Sequence, residues 1–212
     1  CDFFSTTAPE DAAYGRTIER EIELWGRHVQ GPVTTVYFGG GTPGRMAPKL
    51  CHALLDKVDQ VWGIDASAEI TLEANPDDAG FDVFRDFASV GINRLSLGLQ
   101  SLNDAHLKWL GRRHDAAAGR AAVEFARRAG FDNLSLDLIF GLPSQDQEQL
   151  GRDLEQFMAL GAEHVSLYGL TVEEGTPFGV EHAAGRLVEL DRALWLRMYV
   201  FMAVFCTPVA SA

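Results

Sequence analysis

Residues 36 to 45, "VYFGGGTPGR", place three consecutive glycines, a threonine and a proline directly after a short apolar run. Glycine reaches positive φ and leaves bare peptide groups against which a bound molecule can sit, so this turn suits a ligand held by backbone. It has neither the lysine and downstream Ser/Thr of a phosphate-binding loop nor the spacing of a dinucleotide fingerprint. Taken alone it also reads as a tight strand-to-loop turn. Three polar side chains share its kind of position: Glu73 in "EITLEANP", Gln100 in "RLSLGLQS" and Asp137 in "LSLDLIFGLP" each lie at or near the end of an apolar run. An isolated Glu, Gln or Asp at a strand end commonly caps the next helix or binds loop amides. Only convergence on one place turns such residues into a site.

The elements that carry them supply that convergence. β-type runs are expected at 33–38, 69–74, 94–99, 134–139 and 164–169, and helical spacing at 8–28, 47–60, 80–89, 103–110, 116–129, 146–160 and 187–204. Strands alternating with helices predict an α/β fold with a parallel sheet. Within the strands, Ile70 and Leu72 oppose Thr71 and Glu73, while Leu95, Leu97 and Leu99 oppose Ser96, Gly98 and Gln100. Leu134, Leu136 and Leu138 likewise oppose Ser135 and Asp137, and Val165 and Leu167 oppose Ser166. Crossover helices can cover only the leucine side, so the polar side must line a cavity that holds something polar. That is the geometry of a β/α barrel with ligand groups gathered at the carboxyl ends of its strands, where the glycines at 39–41, Glu73, Gln100 and Asp137 meet at one mouth.

Composition limits the ligand class. The 212 residues are 47% hydrophobic and 23% charged, enough for one sizeable core and neither disordered nor of low complexity. A net charge of -12 argues against nucleic acid or an anionic membrane as the main partner, leaving a small molecule. Cys1, Cys51 and Cys206 are too sparse for a disulfide framework and fit a reducing, cytoplasmic setting. The apolar tail "LWLRMYVFMAVFCTPVASA" is interrupted by Arg197 and followed by Pro208, too short a run for a membrane span and more in keeping with a buried or orphaned helix.

"YFGGGTP", "LEANPD", "NRLSLGLQS", "LGRRH", "LSLDLIFGLPSQ" and "HVSLYGLTVEEGTPFG" occur in the order seen in radical S-adenosylmethionine (SAM) proteins of the oxygen-independent coproporphyrinogen III oxidase-like group. The chain resembles that family from residue 1 to about 180, and more its haem chaperone branch than the porphyrinogen oxidases, because Asp-Phe follows Cys1 and because of "LGRRH" and "SLYGLTVEEGTPFG". The resemblance implies a partial parallel (β/α)6 radical SAM barrel with the first strand missing: a core domain over 1–186 and a C-terminal helical tail over 187–212. It implies a 4Fe-4S cluster, SAM and, for the chaperone branch, haem as ligands, together with an electron donor.

By the same resemblance, Gly40, Gly41 and Thr42 receive the amino end of the methionine half of SAM, with Pro43 setting the exit of the loop. Glu73 matches a SAM-contacting carboxylate, whose oxygens accept hydrogen bonds from ribose hydroxyls or an amino group. Gln100 and Asp137 match further contacts, and Arg112 offers a guanidinium to the methionine carboxylate, with Arg113 as its rival in register. Cys1 matches the last cysteine of the family's CxxxCxxC cluster motif, with Phe3 and Phe4 shielding the cluster. The two upstream cysteines, the strand before them and an initiator Met are not in this sequence, so a fragment is expected. Cys51 and Cys206 read as ordinary small core residues. His114, His164 and Tyr168 are given no catalytic role, and the turn at Glu173, Glu174 and Gly175 reads as structural. Three functions follow from the resemblance: haem trafficking with a SAM and cluster site, oxidative decarboxylation of coproporphyrinogen III, or SAM binding without activity.

Overall fold

The computed structural model describes residues 12–143 and 145–205. Five strands, β1 (Val33–Phe38), β2 (Ile64–Ala74), β3 (Arg94–Gln100), β4 (Leu134–Phe140) and β5 (His164–Gly169), form one sheet in chain order, every neighbouring pair parallel. Helices α2 (Pro48–Trp62), α3 (Phe81–Ser89), α4 (Asp104–Trp109) with α5 (Ala116–Arg128), and α6 (Gln147–Ala159) make the successive crossovers. When each strand pairs with its predecessor through crossovers of one hand, the helices collect on one side of the sheet. The sheet is therefore a curled half-barrel whose outer face is covered and whose concave face the described residues leave open.

The expected alternation is what the sheet shows. Leu72, Leu95, Leu97, Leu99, Leu134, Leu136 and Leu138 are buried on the outer face with Phe84, Phe87, Phe131, Phe140 and Phe157. Each such side chain contributes about 1.5–3 kcal/mol through burial. Short polar side chains cap the helices behind this layer. The Asn103 side chain accepts the Ala105 and His106 amides at the start of α4, Asp115 accepts that of Ala118 in α5, and Asp146 and Gln149 form a reciprocal capping box on α6.

Boundaries differ from expectation most at β2 and at the last helix, and one helix is unexpected. β2 begins at Ile64 rather than 69, because Ile64 already pairs with Val33 and the register then shifts before Thr35 meets Glu69. The last helix, α8 (Arg192–Phe205), starts five residues later than its apolar spacing implies, where Asp191 accepts the Ala193 and Leu194 amides. A short helix, α7 (Pro177–Ala183), was not expected at all; Thr176 caps it by accepting the Gly179 amide and Pro177 opens it. Ahead of β1, α1 (Ala12–Trp25) packs on α2, and the four residues expected before it lie outside the described ones. α8 lays Trp195 on Phe140 with ring centroids 5.2 Å apart and buries Met198 and Met202 in the common core.

Candidate functional site

The three glycines after β1 serve two different ends. A side-chain carbon on Gly39 would lie 2.6 Å from the Tyr37 ring, which folds back across that position. At Gly40 and Gly41 an added carbon would meet no atom of the described residues within 4 Å, but their φ angles of 83° and 64° are ones that side chains rarely adopt. The space beside these two residues is thus open among the described residues, with Thr42 half-buried and Pro43 buried behind it. Glu73, at the end of β2, holds the loop in place. Its Oε2 accepts the Gly40 amide at 3.0 Å and its Oε1 accepts the Tyr37 hydroxyl at 2.9 Å.

Across the concave face, register places Glu73 beside Ser96 and Asp137 beside Ser166. The Ser96 hydroxyl donates to Asp137 Oδ1 at 3.4 Å. Burial pushes the Asp137 carboxyl above its ordinary value, a shift that the Ser166 and Ser96 hydroxyls oppose and the nearby Glu73 charge reinforces. The folded protein therefore binds this proton more tightly than the unfolded chain, and the stability it lends at low pH is lost as pH rises through the folded value. Asp137→Asn should accordingly melt above wild type at neutral pH, with the difference closing on acidification below the ordinary carboxylate range; thermal melts across pH check it.

The far side of the mouth is built around Arg112. Its Nη2 donates to Asn75 Oδ1 at 2.6 Å and to the Gly98 carbonyl at 3.1 Å, while its Nε is buried without a partner. Among the described residues no carboxylate comes within 4 Å of this guanidinium, whereas the exposed Arg113 reaches Asp77 at 3.3 Å. The inner position thus falls to the arginine directly after the glycine. Gln100 sits at the end of β3 with φ 67°, the one non-glycine residue of positive φ among the described residues. A side chain on Gly98 would crowd this corner, since its first carbon would lie 3.0 Å from Gln100 Nε2 and 3.2 Å from Asn75 Oδ1 and would push one of them aside. Behind them His114 is buried, its Nε2 bonded to the Leu99 carbonyl at 3.0 Å.

The structure therefore brings Gly40, Gly41, Thr42, Glu73, Gln100, Arg112 and Asp137 to one mouth. Cys1, Phe3 and Phe4 lie outside the described residues, as does Cys206, and Cys51 is buried in the core on α2. His164 and Tyr168, on β5, are exposed on the same face, with His164 Nδ1 2.8 Å from the Ser135 hydroxyl. Sequence reasoning passed over Tyr37 and Asn75. Their placement had a signal, though their contacts did not: Tyr37 continues the alternation of β1, and Asn75 directly follows β2 in "EANPD". A glycine loop at the mouth, two half-buried carboxylates and a half-buried guanidinium with a donor to spare fit a zwitterionic ligand bearing hydroxyls, as SAM is. Among the described residues no three His, Cys, Asp or Glu side chains gather as a metal site.

Comparison with known proteins agrees with this geometry. The radical SAM superfamily profile matches residues 1–157. Heme chaperone HemW of Lactococcus lactis is 37% identical over 84% of this chain and 47% of its own length. HemW of Escherichia coli is 36% identical over 92% of this chain and 52% of its own. The chain thus spans about half the length of these curated relatives. Among solved structures, the coproporphyrinogen III oxidase HemN of Escherichia coli, described as a radical SAM enzyme, superposes with a TM-score of 0.74 at 25% identity, over 91% of this chain and 44% of that one. Motif order, half-barrel, polar mouth and these matches agree, and the chain belongs to the radical SAM superfamily.

Proposed function

We propose that this chain forms the SAM-binding part of a haem chaperone. The observation that carries the SAM reading is Arg112, a half-buried guanidinium at the mouth whose Nε is buried without a partner among the described residues and which has no carboxylate of the described chain within 4 Å. Partial desolvation disfavours a charge that has no close counter-ion, and an anionic ligand group would offset that cost. Arg112 takes the methionine carboxylate, and the peptide groups of Gly40, Gly41 and Thr42 take the amino end. Glu73 and Asp137 accept from ribose hydroxyls or the amino group, and Gln100 closes the contact from β3. Cys1 is the chain's ligand to a 4Fe-4S cluster. A reduced cluster would supply the one electron that cleaves bound SAM into methionine and a 5′-deoxyadenosyl radical. A protein or small-molecule reductant is therefore a partner.

Haem enters through the relatives: the proteins similar at 36–37% identity are named as haem chaperones, which favours haem delivery. The fold match to HemN favours the second reading, oxidative decarboxylation of coproporphyrinogen III. The sparse cysteines fit a cytoplasmic setting, and among the described residues no helix is long and apolar enough to cross a membrane. The test uses a longer protein that carries the complete CxxxCxxC motif, anaerobically reconstituted. SAM should bind in calorimetric titration and haem should bind with a stable Soret band, while coproporphyrinogen III with SAM and a reductant yields no protoporphyrinogen. Catalytic appearance of that product would replace the chaperone with the dehydrogenase, and absence of SAM binding would remove both.

A further inference from the structure

Tyr37 makes none of the proposed ligand contacts, yet it controls a residue that does. Its ring lies across Gly39, where an added carbon would meet Cε1 at 2.6 Å and Cδ1 at 2.8 Å. That fold-back delivers the phenol to Glu73 Oε1 at 2.9 Å, while the other carboxylate oxygen takes the Gly40 amide at 3.0 Å. Tyr37, Gly39, Gly40 and Glu73 thus close a small ring of contacts between the end of β1, the glycine loop and the end of β2. A carboxylate has about four acceptor directions. Two are occupied by the chain, which fixes the plane of the group and leaves the others for a ligand. Burial, with the Glu73 carboxylate as hydrogen-bond partner and neighbouring charge, pushes the Tyr37 hydroxyl up to about 12. It therefore remains a donor across the neutral range.

We propose that Tyr37 is a positioning residue: through Glu73 it fixes the glycine loop in the orientation that receives the polar groups of SAM. This rests on the reading of the mouth as a SAM site. A tyrosine that only packed on the edge strand would be replaced by phenylalanine without consequence, because the ring would still cover Gly39. A tyrosine acting through Glu73 loses its effect when the carboxylate is removed.

Tyr37→Phe is the variant that separates these, read first without ligand. Amide hydrogen exchange by NMR should show the Gly40 amide exchanging several-fold faster in Tyr37→Phe, and faster still in Glu73→Ala, with the Tyr37→Phe melting temperature at the wild-type value. In SAM titration of the reconstituted protein, Tyr37→Phe should weaken binding by about 3- to 10-fold, the loss of one hydrogen bond. The same change made on top of Glu73→Ala should add nothing. Unchanged Gly40 exchange in Tyr37→Phe, or a further loss of affinity in the Glu73→Ala background, would overturn the proposal. Faster Gly40 exchange in Tyr37→Phe, combined with a wild-type protein that takes up no SAM, would instead overturn the ligand, and with it the positioning role, while the local contact stood.

Discussion

Leu136→Ala should lower stability by about 2–5 kcal/mol and leave the SAM titration of the folded protein unchanged, the cost of a large-to-small change in a closed core. Leu136 is fully buried on the outer face of β4, beneath the helices. Its neighbour Asp137 faces the other way, toward Ser96 and Ser166 on the concave side. Asp137→Ala should therefore keep the fold and weaken SAM by about 1–3 kcal/mol, because ligand polar groups lose their acceptor. Glu73→Ala should behave alike, with the further loss of the Gly40 contact. Thermal melts beside calorimetric titration decide the matter. If Asp137→Ala unfolds the protein and Leu136→Ala spares the fold but weakens SAM, the two faces of the strand are assigned the wrong way round.

Asn75→Asp should reduce SAM affinity by more than tenfold while leaving the melting temperature equal to wild type or above it. The Asn75 amide oxygen lies 2.6 Å from Arg112 Nη2, so aspartate there would place a carboxylate against a half-buried guanidinium that has no carboxylate within 4 Å among the described residues. An internal ion pair would form where the methionine carboxylate is proposed to sit. Charge-assisted hydrogen bonds of this kind contribute about 1.5–3 kcal/mol. Asn75→Ala, which removes an acceptor without adding charge, should cost less. Decarboxylated SAM supplies the control: it lacks the group Arg112 is proposed to hold, so its weaker binding should not respond to Asn75→Asp. Equal losses for both ligands would take Arg112 away from the carboxylate.

The parts of this molecule that were legible in the sequence are those governed by repetition. Alternation of leucine with serine, glycine and acidic residues fixed which face of β3 and β4 is covered, because crossover helices have only one side to occupy. The start of α6 could be read to within a residue from its helical spacing, and the structure shows Asp146 and Gln149 fixing it there with a local capping box. Single contacts between distant segments were not legible. Nothing in "EANPD" announces that Asn75 will meet a guanidinium 37 positions later, nor does "VYF" show that Tyr37 folds over Gly39. The left-handed Gln100 belongs to the same class, since the αL conformation is rare for glutamine and is imposed by its surroundings. α7 was missed for a different reason: it has seven residues, too few for an apolar period to emerge, and only its Thr-Pro opening marks it.

A sheet whose spatial order repeats its chain order has a consequence for how the polypeptide reaches its native state. β2 needs only β1, β3 only β2, and so on to β5, so no strand waits for a later one to insert between it and its neighbour. The sequence separation between paired strands is that of a single crossover, which keeps contact order low for a parallel sheet. Assembly can follow the direction of synthesis, each βα unit docking on the edge left by the one before as it leaves the ribosome. The two carboxylates of the mouth belong to different stages of that growth. Glu73 is seated with the first pair of strands and meets its tyrosine and glycine partners there, whereas Asp137 is flanked by both serines only when β5 has docked.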